Sequence, residues 1–160
     1  METSQERVSK ILITGVAGLI GSHMAEYLVK KGYDVYGIDN LSGGYIENVP
    51  KGVNFAYADL KDKESLADIF KDIKSDYVYH FAAYAAEGLS PFIRNFNYSN
   101  NILSSVNVIN ECIKNNVKKI IFTSSMAVYG EGTPPFKETD IPHPIDPYGI
   151  SKYAVELDLE

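Results

Sequence analysis

Cysteine and long hydrophobic runs are the two features that this sequence has least of. Its only cysteine is Cys112, which excludes an internal disulfide and, with just three scattered histidines, predicts no metal site. The longest apolar stretch, 11–21, is interrupted by Thr14 and three glycines and is too short to cross a bilayer. The first ten residues are polar, unlike a secretory signal. We therefore expect a cytoplasmic protein with no membrane partner.

Positive charge is also in short supply. Fifteen lysines and arginines stand against 21 aspartates and glutamates, the net charge is −6, and no block of five like charges occurs. Because a nucleic-acid backbone is bound by basic patches, we expect no nucleic-acid partner. With 45% hydrophobic and 22% charged residues in 160, the composition predicts about one globular domain.

The hydrophobic pattern alternates short β-like runs with longer helical ones. Strands are predicted at 10–14, 34–39, 53–58, 76–82 and 118–124. Helices are predicted from Leu19 to Lys31, after the capping residue Asp62, and through Ile102 to Ile113. On the first helix, the residues expected to face the core are Ile20, Met24, Tyr27 and Leu28. This order predicts an α/β fold with a doubly wound parallel sheet.

A glycine-rich turn joins the first strand to the first helix. Gly15, Gly18 and Gly21 are spaced three apart in TGVAGLIG (14–21). Gly15 permits a tight turn, Gly18 lets the backbone approach a pyrophosphate, and Gly21 allows close packing of helix on strand. The positive end of the helix dipole would then face the phosphates. Glycines in this context favour a dinucleotide site.

Two aspartates end the next strands. Asp39 follows Gly21 by 18 residues, where a carboxylate accepts hydrogen bonds from the adenosine ribose and repels a 2′-phosphate. This placement predicts NAD as the cofactor, not NADP. Asp59 is placed to meet the adenine edge, although a cap for the following helix explains it nearly as well.

Four further segments carry a family resemblance that extends over nearly the whole chain. They are HFAA (80–83), the asparagine Asn101, FTSSMAVYG (122–130) and YGISK (148–152). With the glycine motif and Asp39, they resemble the extended short-chain dehydrogenase/reductases (NAD-dependent epimerases and dehydratases), which have a Rossmann fold. The likeness is greatest to nucleotide-sugar epimerases of the UDP-glucose 4-epimerase type.

This resemblance implies a set of functional residues. The implied catalytic residues are Ser125, Tyr148 and Lys152. The implied NAD-binding residues are Gly15, Gly18, Leu19, Ile20, Asp39, Asn40, Asp59, Leu60, Phe81, Ala82, Ala83, Asn101, Tyr148 and Lys152. Oxidising a sugar alcohol requires a group that takes the hydroxyl proton while hydride leaves the same carbon.

Tyr148 and Lys152 suit that chemistry because they are four residues apart on one helix face. Asp146 as N-cap and Pro147 as first residue would start this helix just before Tyr148. A nearby ammonium favours the phenolate, which is the form that accepts a proton. Ser125 would hydrogen-bond the reacting oxygen, although a serine here can also merely cap the turn after the fifth strand.

The function that the resemblance implies is redox-neutral epimerisation of a nucleotide sugar, expected to be a UDP-sugar at C4, through a 4-keto intermediate. Two alternatives stay open: a nucleotide-sugar 4,6-dehydratase or decarboxylase, and a non-catalytic NAD-binding protein. Dehydratases of this family carry acidic residues just after the catalytic hydroxyl, where this sequence has Met126 and Ala127. Epimerisation is therefore favoured.

The resemblance also bears on domain organisation. It implies that residues 1–160 are an NAD-binding Rossmann domain that is truncated at its C-terminus, without the domain that grips the sugar. We accordingly expect the full-length protein to be a homodimer, and this chain alone to be inactive.

Overall fold

A computed structural model describes residues 7–160, and the first six residues, which form most of the polar stretch considered above, lie outside the described part. Five parallel strands form one sheet in the order β3-β2-β1-β4-β5. Their bounds are β1 Lys10–Thr14, β2 Asp34–Asp39, β3 Val53–Tyr57, β4 Tyr77–His80 and β5 Lys119–Phe122. The predicted doubly wound parallel sheet is confirmed.

Helices connect the strands on both faces of the sheet. They are α1 Leu19–Lys30, α2 Lys63–Ile73, α3 Arg94–Tyr98, α4 Ser104–Lys114 and α5 Pro147–Leu159. A π-helical stretch, Ser99–Leu103, joins α3 to α4, so that 94–114 is one continuous helical segment. Three short 3₁₀ turns lie at Ile46–Asn48, Glu87–Phe92 and Met126–Tyr129. Within 7–160, none of these helices combines the length and the apolar character needed to span a membrane.

Two hydrophobic clusters cover the sheet, as the alternation of side chains along a strand requires. On one face, Leu12 of β1 packs with Leu66 and Phe70 of α2 and Val108 of α4. On the other face, the neighbouring strand residues pack against α1. Because the strands are parallel, the carboxyl ends of β1, β2 and β4 lie at one edge of the sheet, together with the loops and helix starts that follow them.

The predicted apolar face of α1 is wrong at Ile20 and Tyr27, whereas Leu28 is buried and Met24 packs, partly buried, against the core. Ile20 and Tyr27 are 55% and 56% exposed, whereas Gly21 and Ala25 are buried against the sheet. The cause is close packing at Gly21, where a Cβ would overlap the carbonyl oxygen of Gly15. Because the helix rests on its smallest residues at this point, Ile20 and Tyr27 point outward.

Candidate functional site

A cleft lies at the carboxyl edge of the sheet, between the glycine turn and the loops that follow β2, β3 and β4. Of the residues predicted to bind NAD, it is lined by Gly15, Gly18, Asp39, Asn40, Asp59, Leu60, Phe81, Ala82 and Ala83. The sequence analysis missed the lining residues Ile38, Ser42, Gly43, Gly44, Ala58, Tyr84, Asn100 and Ser104. A signal for part of this set was available, since the run Ser42–Gly44 is separated from Asp39 and Asn40 by Leu41 alone.

The glycine turn brings two backbone segments into contact. Gly15 has φ +74°, and a Cβ there would lie 2.7 Å from the backbone nitrogen of Ala82. The amide of Gly15 donates to the carbonyl of Ile38 at 2.8 Å, which ties the turn to the end of β2. A side chain at Gly15 is therefore excluded by both its backbone conformation and its neighbour.

The start of α1 provides free hydrogen-bond donors next to this turn. Gly18 is the N-cap and offers no side chain to the first-turn amides of Leu19, Ile20 and Gly21. The side chains of Leu19 and Ile20 lie outside the cleft, on an exposed surface with His23, Met24 and Tyr27. Any contribution of these two residues to the cleft must therefore come from their backbone N–H groups.

Asp39 holds its carboxylate rigidly at the cleft. One oxygen accepts from the Ala17 amide at 2.9 Å and the other from the Leu41 amide at 2.8 Å. Each oxygen thus keeps a lone pair for a further donor. A fixed negative charge here is compatible with two ribose hydroxyls and repels a phosphate in the same position.

Asp59 is not the cap of the following helix, because Asp62 caps α2 by accepting from the amides of Glu64 and Ser65. Instead, Asp59 accepts from the Lys61 amide at 2.9 Å and from the Asn40 side chain at 3.1 Å. Partial burial raises the pKa of Asp59, but these hydrogen bonds outweigh it and hold the pKa below its ordinary value. The carboxylate is therefore charged at neutral pH.

The start of α5 has the predicted geometry. The carboxylate of Asp146 accepts from the amides of Tyr148 and Gly149 at 2.8 and 2.9 Å, and Pro147 is the first helical residue. Tyr148 and Lys152 are both buried on this helix. The Lys152 ammonium lies 5.9 Å from the Tyr148 ring centroid, so the helix does bring the two side chains together.

Lys152 has an unusual environment for a cation. Its Nζ donates to the carbonyl of Thr123 at 2.8 Å and lies 4.8 Å from the Phe122 ring centroid. No carboxylate pairs with it among the described residues. Burial lowers the pKa of Lys152 to about 8, so that the ammonium still predominates at neutral pH.

Ser124 and Ser125 follow the end of β5, beside the residues that Lys152 contacts. The Ser125 hydroxyl oxygen accepts from the Ala127 amide at 3.2 Å and so caps the short turn Met126–Tyr129. The alternative that this serine caps the turn is therefore correct, although its hydroxyl hydrogen can still be donated. The Ser124 hydroxyl is buried without a hydrogen-bond partner in the described part of the chain.

Asn101 links the cleft to α5 from the π-helical stretch. Its Oδ1 accepts from the Tyr84 amide at 2.7 Å, and its Nδ2 donates to Tyr84 O at 3.2 Å and Asn97 Oδ1 at 2.9 Å. Asn97 in turn donates to the carbonyl of Pro147 at 2.9 Å. The sequence analysis missed Asn97, which is fully buried and lies one helical turn before Asn101.

These features fit a bound dinucleotide. The uncapped start of α1 and the bare Gly15–Gly18 turn suit a pyrophosphate, while Asp39 suits the ribose that precedes the adenine. By contrast, residues 7–160 hold no group of three His, Cys, Asp or Glu side chains arranged for a metal ion. Fold and cleft together define an NAD-binding protein of the doubly wound α/β class.

The comparison with protein families agrees with this class and narrows it. Residues 11–160 match the model of the NAD dependent epimerase/dehydratase family, and the chain belongs to that family. It is 37% identical over 147 residues to a UDP-glucose 4-epimerase of Halalkalibacterium halodurans, and this alignment covers 91% of this chain and 44% of that protein. It is 39% identical over 158 residues to the bifunctional protein gal10 of Schizosaccharomyces pombe, covering 91% of this chain and 22% of that protein.

Solved structures give the same result. A UDP-glucose 4-epimerase from Thermotoga maritima, solved with UDP-glucose, superimposes with a TM-score of 0.91 at 41% identity, covering 94% of this chain and 50% of that one. The Thermus thermophilus enzyme, solved with NAD, gives 0.91 at 39% identity, covering 94% and 49%. The chain therefore spans no more than about half the length of these relatives.

Proposed function

We propose that this chain is the NAD-binding part of a nucleotide-sugar 4-epimerase, acting on a UDP-sugar. The observation that carries the proposal is the meeting of the dinucleotide cleft and the Ser125, Tyr148 and Lys152 group at one edge of the sheet. The names of the relatives, which are UDP-glucose 4-epimerases, support the substrate class and the position of the reaction.

In this proposal, Gly15, Gly18 and the free amides of α1 hold the pyrophosphate, and Asp39 holds the adenosine ribose. The adenine end is received by Asp59 and Leu60, with Asn40 steadying Asp59. Phe81, Ala82 and Ala83 form the wall where β4 ends. The chemistry that NAD would supply when bound is hydride exchange with C4 of the sugar.

Tyr148 takes the proton of the C4 hydroxyl while the sugar is oxidised and gives it back on re-reduction. Lys152 favours this exchange, because its ammonium stabilises negative charge on the phenol and lies in a site where water does not screen it. Ser125 donates its remaining hydroxyl hydrogen to the C4 oxygen as that oxygen becomes a carbonyl. Asn101 keeps the wall at Tyr84 in place.

A dehydratase or decarboxylase is disfavoured by the residues after Ser125. Met126 and Ala127 occupy the turn there, and Met126 is 70% exposed with no acid beside it in sequence. Elimination of water needs a second acid and base beyond those that oxidise C4. Neither Met126 nor Ala127 supplies such a group, which favours the cycle of oxidation and re-reduction.

We also propose a homodimer, because apolar side chains are exposed on the helices beyond β4. They are Phe96, Leu103, Ile150 and Leu157. Sedimentation of the complete gene product would show it, and a monomer at all concentrations would exclude it. The cytoplasmic location and the lack of a nucleic-acid partner stay predictions.

The test of the proposed activity is product analysis. The complete gene product is incubated with NAD and each of a panel of UDP-hexoses and UDP-pentoses, and the mixture is followed by proton NMR. We expect interconversion of a C4 pair without net reduction of NAD. A 4-keto-6-deoxy sugar or released carbon dioxide would instead identify a dehydratase or decarboxylase.

A further inference from the structure

His80 is the one buried histidine of the protein, and the proposed reaction does not use it. It ends β4, directly before the cleft residues Phe81 and Ala82, and is 1% exposed. Its Nδ1 lies 2.7 Å from the hydroxyl of Thr14, and its Nε2 lies 2.8 Å from the hydroxyl of Ser105. Both hydroxyls are themselves buried, so water does not compete for these contacts.

The hydrogen bonds around the ring determine which nitrogen carries the proton. The Ser105 hydroxyl donates to the carbonyl of Asn101 at 2.6 Å, since a carbonyl can only accept. Ser105 therefore has no hydrogen left for His80, and Nε2 must be the donor between them. Nδ1 is then bare and accepts from Thr14, whose oxygen accepts in turn from the Ala82 amide at 3.3 Å.

These hydrogen bonds form a series in which every donor–acceptor pair has the same direction. The order runs from the Ala82 amide to Thr14, to His80, to Ser105 and finally to the carbonyl of Asn101. Hydrogen bonds in such a series polarise one another, and in a buried site each broken link leaves an unpaired polar group. The five residues are thus held in one arrangement.

The surroundings keep the imidazole neutral, as this arrangement requires. Phe122 stacks on the ring at 5.8 Å between centroids, and the ammonium of Lys152 lies against the same Phe122 ring. Burial, aided by the charge of Lys152, lowers the pKa of His80 to about 3. A second cation is therefore not formed beside Lys152 at neutral pH.

Both ends of this series of hydrogen bonds contact the candidate site. Thr14 precedes Gly15 of the glycine turn, and Ala82 lies against Gly15 in the cleft wall. At the other end, Asn101 holds Tyr84 and, through Asn97, the first turn of α5. We propose that His80 is a positioning residue that fixes the glycine turn relative to Asn101 through Thr14 and Ser105. The role at NAD rests on the proposed function; the coupling itself does not.

The ring protonation is tested first, on this chain. Long-range proton–nitrogen NMR reads the state of each histidine, and the variants His23→Gln and His143→Gln, both at exposed positions, assign His80 by elimination. We expect a bare Nδ1 and a protonated Nε2 in a single, non-exchanging form. Protonation at Nδ1, or a mixture of the two forms, would overturn the proposal.

The coupling is tested by removing a hydroxyl group at one end of the series and measuring amide hydrogen exchange at the other end. Ser105→Ala is read at the Ala82 amide, and Thr14→Val at the Tyr84 amide, by hydrogen exchange. We expect exchange at the distant amide to accelerate about fivefold, the equivalent of one ordinary hydrogen bond. Thr14→Ser retains the hydroxyl and should restore protection at Tyr84, which also covers the case in which Thr14→Val does not fold.

Ser75→Ala is the matched control. Ser75 is buried, and its hydroxyl has no partner among the described residues, so neither amide should respond to its removal. If hydrogen exchange accelerates only next to the substituted residue and not at the distant amide, the proposal is overturned. For the consequence at NAD, Ser105→Ala should weaken NAD binding by about fivefold. If the coupled exchange is present but the complete gene product binds no NAD, the positioning role stands and the proposed function fails.

Discussion

The candidate dinucleotide cleft and the proposed catalytic group lie at the same edge of one sheet, but they are formed by different kinds of chemical group. The cleft is lined in part by the glycine turn, and Gly15 of this turn and the neighbouring Gly21 of α1 occupy positions where no Cβ fits. The proposed catalytic group consists of side chains. Tyr148 and Lys152 are buried on α5 and Ser125 follows β5, and the Lys152 ammonium has no carboxylate partner among the described residues. The first region is therefore sensitive to added atoms, and the second to removed polar groups.

The same difference extends to stability. Close backbone packing at the glycines stabilises the fold, because the turn, the helix and the sheet fit together there. Burial of an unpaired cation opposes folding, since the charge loses its hydration. We infer that the cleft supports the structure while the catalytic group is maintained at a cost, as is usual for functional sites. Substitutions in the two regions should then change stability in opposite directions.

The largest expected effect is on turnover, at Tyr148. In the complete gene product, Tyr148→Phe should lower epimerase turnover by about 10³-fold, because it removes the proposed proton carrier and keeps the ring. NAD should stay bound, since Tyr148 does not line the cleft. Tyr153→Phe, five residues on in the same helix, is the matched control. Near-normal turnover by Tyr148→Phe would show that another group carries the proton.

The next largest effect is expected on stability, in the cleft. Gly21→Ala should lower the free energy of unfolding by about 3 kcal/mol, because the added methyl group overlaps the backbone of Gly15. Thermal or urea unfolding of this chain measures it. Gly88→Ala, where the methyl group would meet nothing, should have little effect. Equal stability of the two variants would mean that α1 is not held against the turn as described.

Lys152→Met should act in the opposite direction and stabilise the chain at pH 7. Folding lowers the pKa of Lys152 from 10.5 to about 8, so the folded state disfavours the charged form. The resulting penalty is fully present below pH 8, shrinks between pH 8 and 10.5, and is absent above. It corresponds to roughly 3 kcal/mol, of which about 1 kcal/mol is offset in the variant by the lost hydrogen bond to Thr123.

We therefore expect Lys152→Met to be more stable by about 2 kcal/mol at pH 7, with the gain falling to zero at about pH 10 and turning into a loss of about 1 kcal/mol above pH 10.5. Urea unfolding at a series of pH values measures this. Lys71→Met removes an exposed lysine of α2 and should show no such pH dependence. A loss of stability in Lys152→Met at pH 7 would contradict the idea that the catalytic group is maintained at a cost.

The smallest effect concerns cofactor choice, at Asp39. The unchanged chain should bind NAD more tightly than NADP, and Asp39→Asn should reduce this preference by about tenfold, or about 1.4 kcal/mol. The cause is removal of the charge that would face a 2′-phosphate. Calorimetric titration with both nucleotides measures it, with Asp68→Asn on the exposed side of α2 as control. Equal affinities of the unchanged chain for NAD and NADP would show that Asp39 does not determine cofactor choice.

Local signals in the sequence predicted much of this architecture. The strands, the glycine turn, the position of Asp39 and the capping of α5 by Asp146 all depend on residues close together in the chain. The outward face of α1 could not be predicted in this way, because hydrophobicity favoured Ile20 and Tyr27, whereas contact with Gly15 required the smallest residues inside.

The missed residues share a different cause. Gly44 reaches the cleft because the chain folds back to Ala17, where the Tyr45 amide donates to the Ala17 carbonyl at 3.2 Å. Asn97 contacts Pro147, 50 residues away, through one side-chain hydrogen bond. His80 likewise joins segments distant in sequence. Such polar contacts leave no periodicity in the sequence, so only the folded structure reveals them.

The most direct test of the whole account uses a substrate labelled at C4. A UDP-hexose carrying deuterium on C4 is converted by the complete gene product in ordinary water, and the product is examined by NMR. If C4 is oxidised and re-reduced in place, with Tyr148 moving only the hydroxyl proton, the epimerised product keeps its deuterium at C4. Replacement of that deuterium by solvent hydrogen would contradict the account.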